Sequence, residues 1–99
     1  MIQKGGCVYI MTNCDMGRLY IGVTSNLAQR VCEHKAGRYP DSFTDRYNLH
    51  KLVYYECFDD IESAIAREKQ LKHWNRNWKL RLIIDQNPNW LDLYEEAFK

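Results

Sequence analysis

The 99-residue sequence has almost no net charge, because 14 lysines and arginines oppose 13 aspartates and glutamates. Overall charge therefore does not mark a nucleic-acid binder, and an electrostatic argument has to be made locally. The sequence also lacks an apolar run of the ~20 residues that a membrane-spanning helix needs, and it has no internal repeat or low-complexity stretch. Its hydrophobic and charged fractions, 45% and 27%, exclude disordered, collagen-like and coiled-coil proteins and indicate one domain spanning residues 1–99.

The sequence has no C-x-x-C pair, so we do not expect a zinc site. Residues 1–6 contain no apolar segment of the signal-peptide type, which favours the cytoplasm. In that reducing compartment we expect the cysteines to be thiols. These are Cys7, Cys14, Cys32 and Cys57.

The order of hydrophobic patterns predicts a small α+β domain. Two β-branched and aromatic runs separated by an Asn-, Asp- and Gly-containing turn predict a β-hairpin. A capped helix, a loop and a third strand follow, and three more helices complete the order ββαβααα, with a three-stranded antiparallel sheet flanked by helices. The predicted strands are 7–12, 19–23 and 51–58; the helices are 27–36, 61–74, 78–85 and 90–98, and the loop is 38–48, behind a helix stop at Gly37.

The predicted hairpin carries two tyrosines, Tyr9 and Tyr20, and its register decides whether they lie on the same face of the sheet. They share one face of the sheet if Thr12 stands opposite Gly17, whereas a slip of one residue would separate them. Because tyrosines in strands are usually packing residues, the pair alone indicates little about function.

Two polar features stand out on the predicted helices. Arg30 and His34 are spaced i, i+4, so their side chains are neighbours. They are either a solvated edge or a phosphate site that combines a bidentate guanidinium with a group able to exchange protons near neutral pH.

Glu68 falls in the middle of the apolar stripe of its predicted helix and not on its edge. The stripe consists of Ile61, Ala64, Ile65 and Leu71. A carboxylate at a core-facing position is costly unless it is paired or binds a cation. Glu68 is therefore either half of a structural ion pair or a functional residue, and we favour the functional role.

The segment from residue 67 to residue 81 is locally basic, with six cations, one carboxylate and two interleaved tryptophans. Such a surface is either a soluble face or one suited to phosphate contacts and base stacking. The candidate nucleic-acid contacts are Arg67, Lys69, Lys72, Trp74, Arg76 and Lys79.

Four motif elements together resemble the GIY-YIG nuclease family. They are Cys7-Val8-Tyr9, Tyr20-Ile21-Gly22, Arg30 and Glu68. The resemblance covers residues 6–80 and is greatest to stand-alone bacterial proteins related to the N-terminal nuclease domain of the excinuclease ABC repair enzyme. Residues 81–99 form a helical tail, and its segment 87–93 is similar to the tail of that stand-alone group.

The resemblance implies a DNA endonuclease that uses a single divalent ion, Mg²⁺ or Mn²⁺. Tyr9 and Tyr20 would lie near the attacking water, Arg30 would steady the scissile phosphate, and Glu68 would hold the metal. His34, which stands where some relatives have tyrosine, would share acid–base duty.

The sequence departs from the family pattern at two positions, with Cys7 in place of the first motif glycine and Val23 where some relatives carry lysine. We expect the substrate to be branched, nicked or damaged DNA, and a larger repair complex to be a possible partner. The alternatives are a catalytically weak nucleic-acid-binding module and, less favoured, a protein-interaction domain.

Overall fold

The computed structural model describes residues 5–36 and 49–97. The predicted loop at 38–48, the helix stop at Gly37 and the predicted end of the last helix at Phe98 lie outside these residues. The strands are β1 (Gly6–Thr12), β2 (Leu19–Thr24) and β3 (Lys51–Phe58), and the helices are α1 (Leu27–Lys35), α2 (Ile61–His73), α3 (Arg76–Gln86) and α4 (Tyr94–Ala97). None of the helices in these ranges is long and apolar enough to cross a membrane.

The three strands form one antiparallel sheet in the order β2-β1-β3. The predicted α+β class and the order ββαβααα are therefore confirmed over the described part of the chain. Strand β1 is central and every one of its residues is buried, because helices cover both faces of the sheet. On one face Val8 and Ile10 pack with Leu71 of α2 and with α3; on the other, Tyr9 packs with Val31 of α1.

The β1–β2 register is shifted by two residues from a pairing of Thr12 with Gly17. Thr12 stands opposite Leu19, not Gly17, and Tyr9 stands opposite Gly22. Because side chains alternate with a period of two, a shift of two residues keeps every side chain on its predicted face. Tyr9 and Tyr20 therefore do share one face, the face that α1 covers.

Side-chain caps determine where the helices begin. Asn26, Asp60 and Asn75 each accept a hydrogen bond from the backbone N–H three residues later, at 3.1, 2.8 and 2.9 Å. Each thereby satisfies a donor that the helix itself leaves unpaired. Helix α3 begins at Arg76, two residues before the predicted start, because Asn75 is its cap.

The C-terminal helix begins at Tyr94, four residues later than predicted. The intervening chain pairs with β3 instead: the Leu93 N–H donates to the Leu52 carbonyl at 2.7 Å. The buried Asn87 side chain holds the preceding turn by donating to the carbonyls of Val53, at 3.2 Å, and Leu91, at 2.8 Å.

The expectation that all the cysteines are thiols is wrong for two of them. Cys7 and Cys57 form a disulfide between β1 and β3, where the antiparallel register sets them directly opposite each other. The two residues are 50 positions apart in the chain, so only the strand pairing reveals their proximity. Cys14 and Cys32 are exposed free cysteines.

Candidate active site

The most buried polar contact on the α1 face joins Tyr9 to His34. Tyr9 is fully buried and His34 is 5% exposed; the Tyr9 Oη lies 3.1 Å from the His34 Nε2. Gly22 makes room for this contact, since a Cβ at that position would lie 2.5 Å from the Tyr9 Oη and 2.6 Å from its Cζ. The Tyr20-Ile21-Gly22 tripeptide thus leaves the space that the Tyr9 ring occupies.

Tyr20 completes a group of three rings. Its ring centre lies 6.2 Å from that of Tyr9 and 5.6 Å from that of His34, while Tyr9 and His34 are 5.9 Å apart. Unlike Tyr9, Tyr20 is only half-buried. The group therefore has a phenol inside the protein and a second phenol at its exposed side.

Arg30 lies one helical turn before His34 and borders the same group. Its guanidinium lies close enough to the Tyr9 hydroxyl to lower the pKa of that phenol, and its Nε lies 3.8 Å from the Glu33 Oε1. The Arg30 side chain is 38% exposed, so its charge remains accessible from outside. Four of the five predicted catalytic residues, Tyr9, Tyr20, Arg30 and His34, therefore come together.

The pKa values indicate the protonation states at this site. Burial raises the pKa of Tyr9 well above the usual tyrosine value, Tyr20 adds to the rise, and Arg30 opposes it. Burial also lowers the pKa of His34, and the charges of Arg30 and His50 lower it further, against an opposing effect of Glu33. Near neutral pH the phenol is therefore protonated and the imidazole neutral, so the Tyr9 O–H donates to Nε2 and the imidazole proton resides on Nδ1.

Glu68, the fifth predicted catalytic residue, belongs to α2 and so lies beyond the opposite face of the sheet. Its side chain is 16% exposed, and its Oε2 lies 3.3 Å from the Nζ of Lys72. The neighbouring Arg67 contacts Glu56 of β3, so helical phase turns the Glu68 flank of α2 towards β2. β2 is the edge strand that carries Tyr20.

Arg67, a predicted DNA contact, has partners within the protein. Its Nε donates to the Glu56 Oε1 at 3.0 Å, and its guanidinium lies 5.3 Å from the centre of the Trp74 ring. Trp74 is half-buried beneath it. The contact with Glu56 attaches α2 to β3.

Arg76, another predicted DNA contact, attaches α3 to the β1–β2 turn. Its Nη2 donates to the carbonyl oxygens of Met16 and Gly17, each at 2.7 Å. Because both acceptors are backbone atoms, the contact holds the shape of the turn directly.

The remaining candidates of the basic segment are more accessible. Lys69 and Lys72 are exposed and Lys79 is partly exposed. Trp78, which the predicted contacts left out, is 53% exposed and meets Trp74 edge to face at 5.7 Å.

Sequence reasoning missed two further residues near the site. Gly22 was noted only as part of a motif, because its steric role depends on the register. His50 carried no signal at all: it immediately precedes β3, and its Nε2 is buried without a hydrogen-bond partner in the described part of the protein.

The comparison with known families agrees with this geometry, since residues 5–81 match the family model of the GIY-YIG catalytic domain. The chain belongs to the GIY-YIG family. That family is one of nucleases, so the expected resemblance is confirmed. The GIY-YIG chain is also similar to short proteins named UPF0213.

One of these relatives, from Syntrophus aciditrophicus, is 40% identical over 81 residues, which cover 82% of this chain and 91% of the relative. Another, from Haloquadratum walsbyi, is 37% identical over 75 residues, 76% and 82% of the two chains. The solution NMR structure of a UPF0213 protein from Bacillus halodurans is 24% identical and superposes with a TM-score of 0.56 over 95% of this chain and 98% of that one. This last likeness shows the shared fold.

Proposed function

We propose that this GIY-YIG protein is a divalent-metal-dependent endonuclease that hydrolyses phosphodiester bonds of DNA. The observation that carries the proposal is the Tyr9–His34 hydrogen bond of 3.1 Å beside an accessible Arg30. It brings a proton acceptor, a phenol and a cation together beside helix α1, and these are groups that can serve the hydrolysis of a phosphodiester.

Proton transfer follows from the two protonation states. Tyr9 takes a proton from the attacking water while its own hydroxyl proton passes to Nε2 of the neutral His34. The resulting hydroxide forms the new P–O bond, the P–O bond to the leaving strand breaks, and the leaving oxygen takes a proton from solvent water. The half-buried Tyr20 holds the attacking water on the exposed side.

Arg30 supplies the phosphate contact. A guanidinium presents a planar fork that matches two phosphate oxygens, which a lysine ammonium does not. The Arg30 side chain is 38% exposed, so a bound strand can reach its guanidinium, and its position beside the Tyr9 hydroxyl keeps the phosphate next to the attacking water.

Glu68 fits the metal site that the family implies. Mg²⁺ and Mn²⁺ prefer oxygen ligands, and Mg²⁺ commonly uses one or two carboxylates while keeping water and phosphate oxygens in its other positions. A single accessible carboxylate suits this coordination, and Lys72 compensates its charge in the free protein. When bound, the ion would stabilise negative charge on the phosphate oxygens. The assignment requires Glu68 to meet the substrate at the β2 edge, beside Tyr20.

The test is cleavage of labelled DNA by the wild type, Arg30→Lys and Glu68→Gln, with Mg²⁺, Mn²⁺ or EDTA. Supercoiled, nicked, branched and damaged DNA are compared, because these are the proposed substrates. We expect metal-dependent cleavage by the wild type, a loss of at least about tenfold in Arg30→Lys, and near-background cleavage in Glu68→Gln. Glu62→Gln, an exposed carboxylate of the same helix, is the matched control and should cleave normally.

Each outcome bears on a different assignment. Cleavage in EDTA equal to that in Mg²⁺ would refute the metal dependence. Normal cleavage by Glu68→Gln would remove Glu68 from the metal site. A wild type that binds these DNAs and cuts none of them would favour the nucleic-acid-binding module over the enzyme.

A further inference from the structure

His50 is attached to the end of α1 that carries His34. Its backbone carbonyl accepts a hydrogen bond of 2.9 Å from the Nζ of Lys35, the residue after His34. Its neighbour Leu49 is fully buried in the hydrophobic cluster that contains Tyr9. His50 therefore lies on the sheet face of the candidate active site.

The imidazole of His50 has an unused hydrogen-bonding atom. Its Nε2 is buried, and within the described residues it has no hydrogen-bond partner. Leaving such an atom unpaired costs free energy, and native proteins pair nearly all of their buried polar groups. A partner that arrives from outside the protein would remove this cost.

The charges around His50 favour an anion as that partner. Lys35 donates to the His50 carbonyl and pairs with Asp92. On the same helix, burial and the charge of Arg30 lower the pKa of His34, and Glu33 opposes that effect. No cluster of three metal-ligating side chains occurs in the described ranges. Neighbouring cations repel a metal ion and attract a phosphate.

We propose that the Nε2–H of His50 donates a hydrogen bond to a phosphate oxygen of bound DNA, next to the oxygens held by Arg30. The inference rests on the proposed function in taking DNA as the ligand, and it adds a substrate contact outside the motif residues. It assigns the buried Nε2 the role of an anion donor that is paired only in the complex.

The experiment measures binding of a labelled DNA duplex in EDTA, so that cleavage does not intervene. His50→Leu removes the donor at similar volume, and His50→Gln restores an amide N–H at similar reach. His73→Leu, an exposed histidine at the end of α2, is the matched control. We expect the dissociation constant to rise about tenfold in His50→Leu, as for loss of one hydrogen bond to a charged group, and to stay within about threefold of the wild type in the other two variants.

Thermal melting separates this role from a structural one. Because His50→Leu removes an unpaired buried atom, we expect it to melt at or above the wild-type temperature. Wild-type affinity in His50→Leu would overturn the proposal. So would weak binding in His50→Gln together with a lowered melting temperature in both variants, since that pattern is a packing defect.

The same measurements distinguish this inference from the proposed function. If the wild type cleaves DNA and His50→Leu binds normally, the His50 contact alone is wrong. If the wild type binds without cleaving and His50→Leu binds weakly, the nuclease assignment fails and the His50 contact stands.

Discussion

Removing the disulfide between Cys7 and Cys57 should lower the free energy of unfolding by about 4 kcal/mol. A crosslink limits the unfolded chain, and the loss of entropy grows with the logarithm of the closed loop. The two cysteines are 50 positions apart, which gives about 14 cal/mol/K, or about 4 kcal/mol at 25 °C. Typical domains are stable by only about 5–15 kcal/mol, so this loss is a large fraction of the total.

The perturbation is Cys57→Ser, which places a hydroxyl at an exposed residue and leaves Cys7 as a small buried thiol. Urea unfolding without reductant gives the free-energy difference, and the melting temperature should fall by on the order of 20 °C. Cys14→Ser, at an exposed free cysteine, is the control and should unfold like the wild type. Adding a dithiol reductant should bring the wild type to the stability of Cys57→Ser.

Two results would contradict this reasoning. Titration of the urea-unfolded wild type with a thiol reagent, in the absence of reductant, should find the two free cysteines, and a count of four would show that no disulfide forms. Equal stability of Cys57→Ser and the wild type would show that the crosslink does not limit the unfolded chain as the loop-entropy argument requires.

Three further perturbations test the site and its surroundings. Gly22→Ala should abolish cleavage, and it should lower the free energy of unfolding, measured in urea, by about 1–3 kcal/mol. The reason is that the new Cβ would lie 2.5 Å from the Tyr9 Oη. A stable variant with normal turnover would contradict this prediction. Arg76→Gln should lose about 1–3 kcal/mol of stability but keep the wild-type slope of log binding constant against log salt concentration. Lys72→Gln should reduce that slope by about one unit. A reduced slope in Arg76→Gln would return Arg76 to the DNA interface. Burial lowers the pKa of His34, so as pH falls below about 6.5 the unfolded chain takes up a proton before the folded protein does. The wild-type melting temperature should therefore drop between about pH 7 and pH 5. The drop should be smaller in His34→Gln, and an equal drop would refute the connection between the His34 pKa and this loss of stability. Cleavage should rise with pH through that lowered value, because the neutral imidazole is the proton acceptor.

Local signals in the sequence were sufficient to locate most elements. Strand β3 was predicted with its exact bounds, because residues 51–58 are rich in apolar and aromatic β-formers and are followed by Asp59-Asp60. Helix α2 begins where predicted because Asp60 caps it. In both cases the determining contacts lie within a few residues along the chain, so they leave a visible pattern.

Features that depend on pairing between distant strands were not predictable in the same way. The sequence left the β1–β2 register open, because a loop of several residues closes a hairpin in more than one register. The pairing of β1 with β3 includes a shift between Ile10 and Met11, and no pattern in the sequence indicates it. The disulfide and the unpaired His50 Nε2 both follow from this second pairing and from how α1 packs beside it.

The position of Glu68 shows the limit of helical periodicity as evidence. The period correctly indicated that Ala64 and Leu71 are buried, but it does not say which face of the sheet the helix covers. The structure has α2 on the face opposite Tyr9. Glu68 is not among the buried residues of that helix; it lies on the flank of the buried stripe and pairs with Lys72. Its proposed metal role therefore depends on the β2 edge and not on a carboxylate buried in the core.

The spacing of the two tripeptide motifs has a steric cause. Tyr9 is fully buried in the central strand, and it fits there only because the residue opposite it on β2 has no Cβ. Tyr20, two residues before that glycine, then necessarily shares the face of Tyr9. The tyrosine of the first motif, the glycine of the second and the length of the intervening turn are thus one packing unit. A replacement at any of them alters the position of the Tyr9 hydroxyl relative to His34.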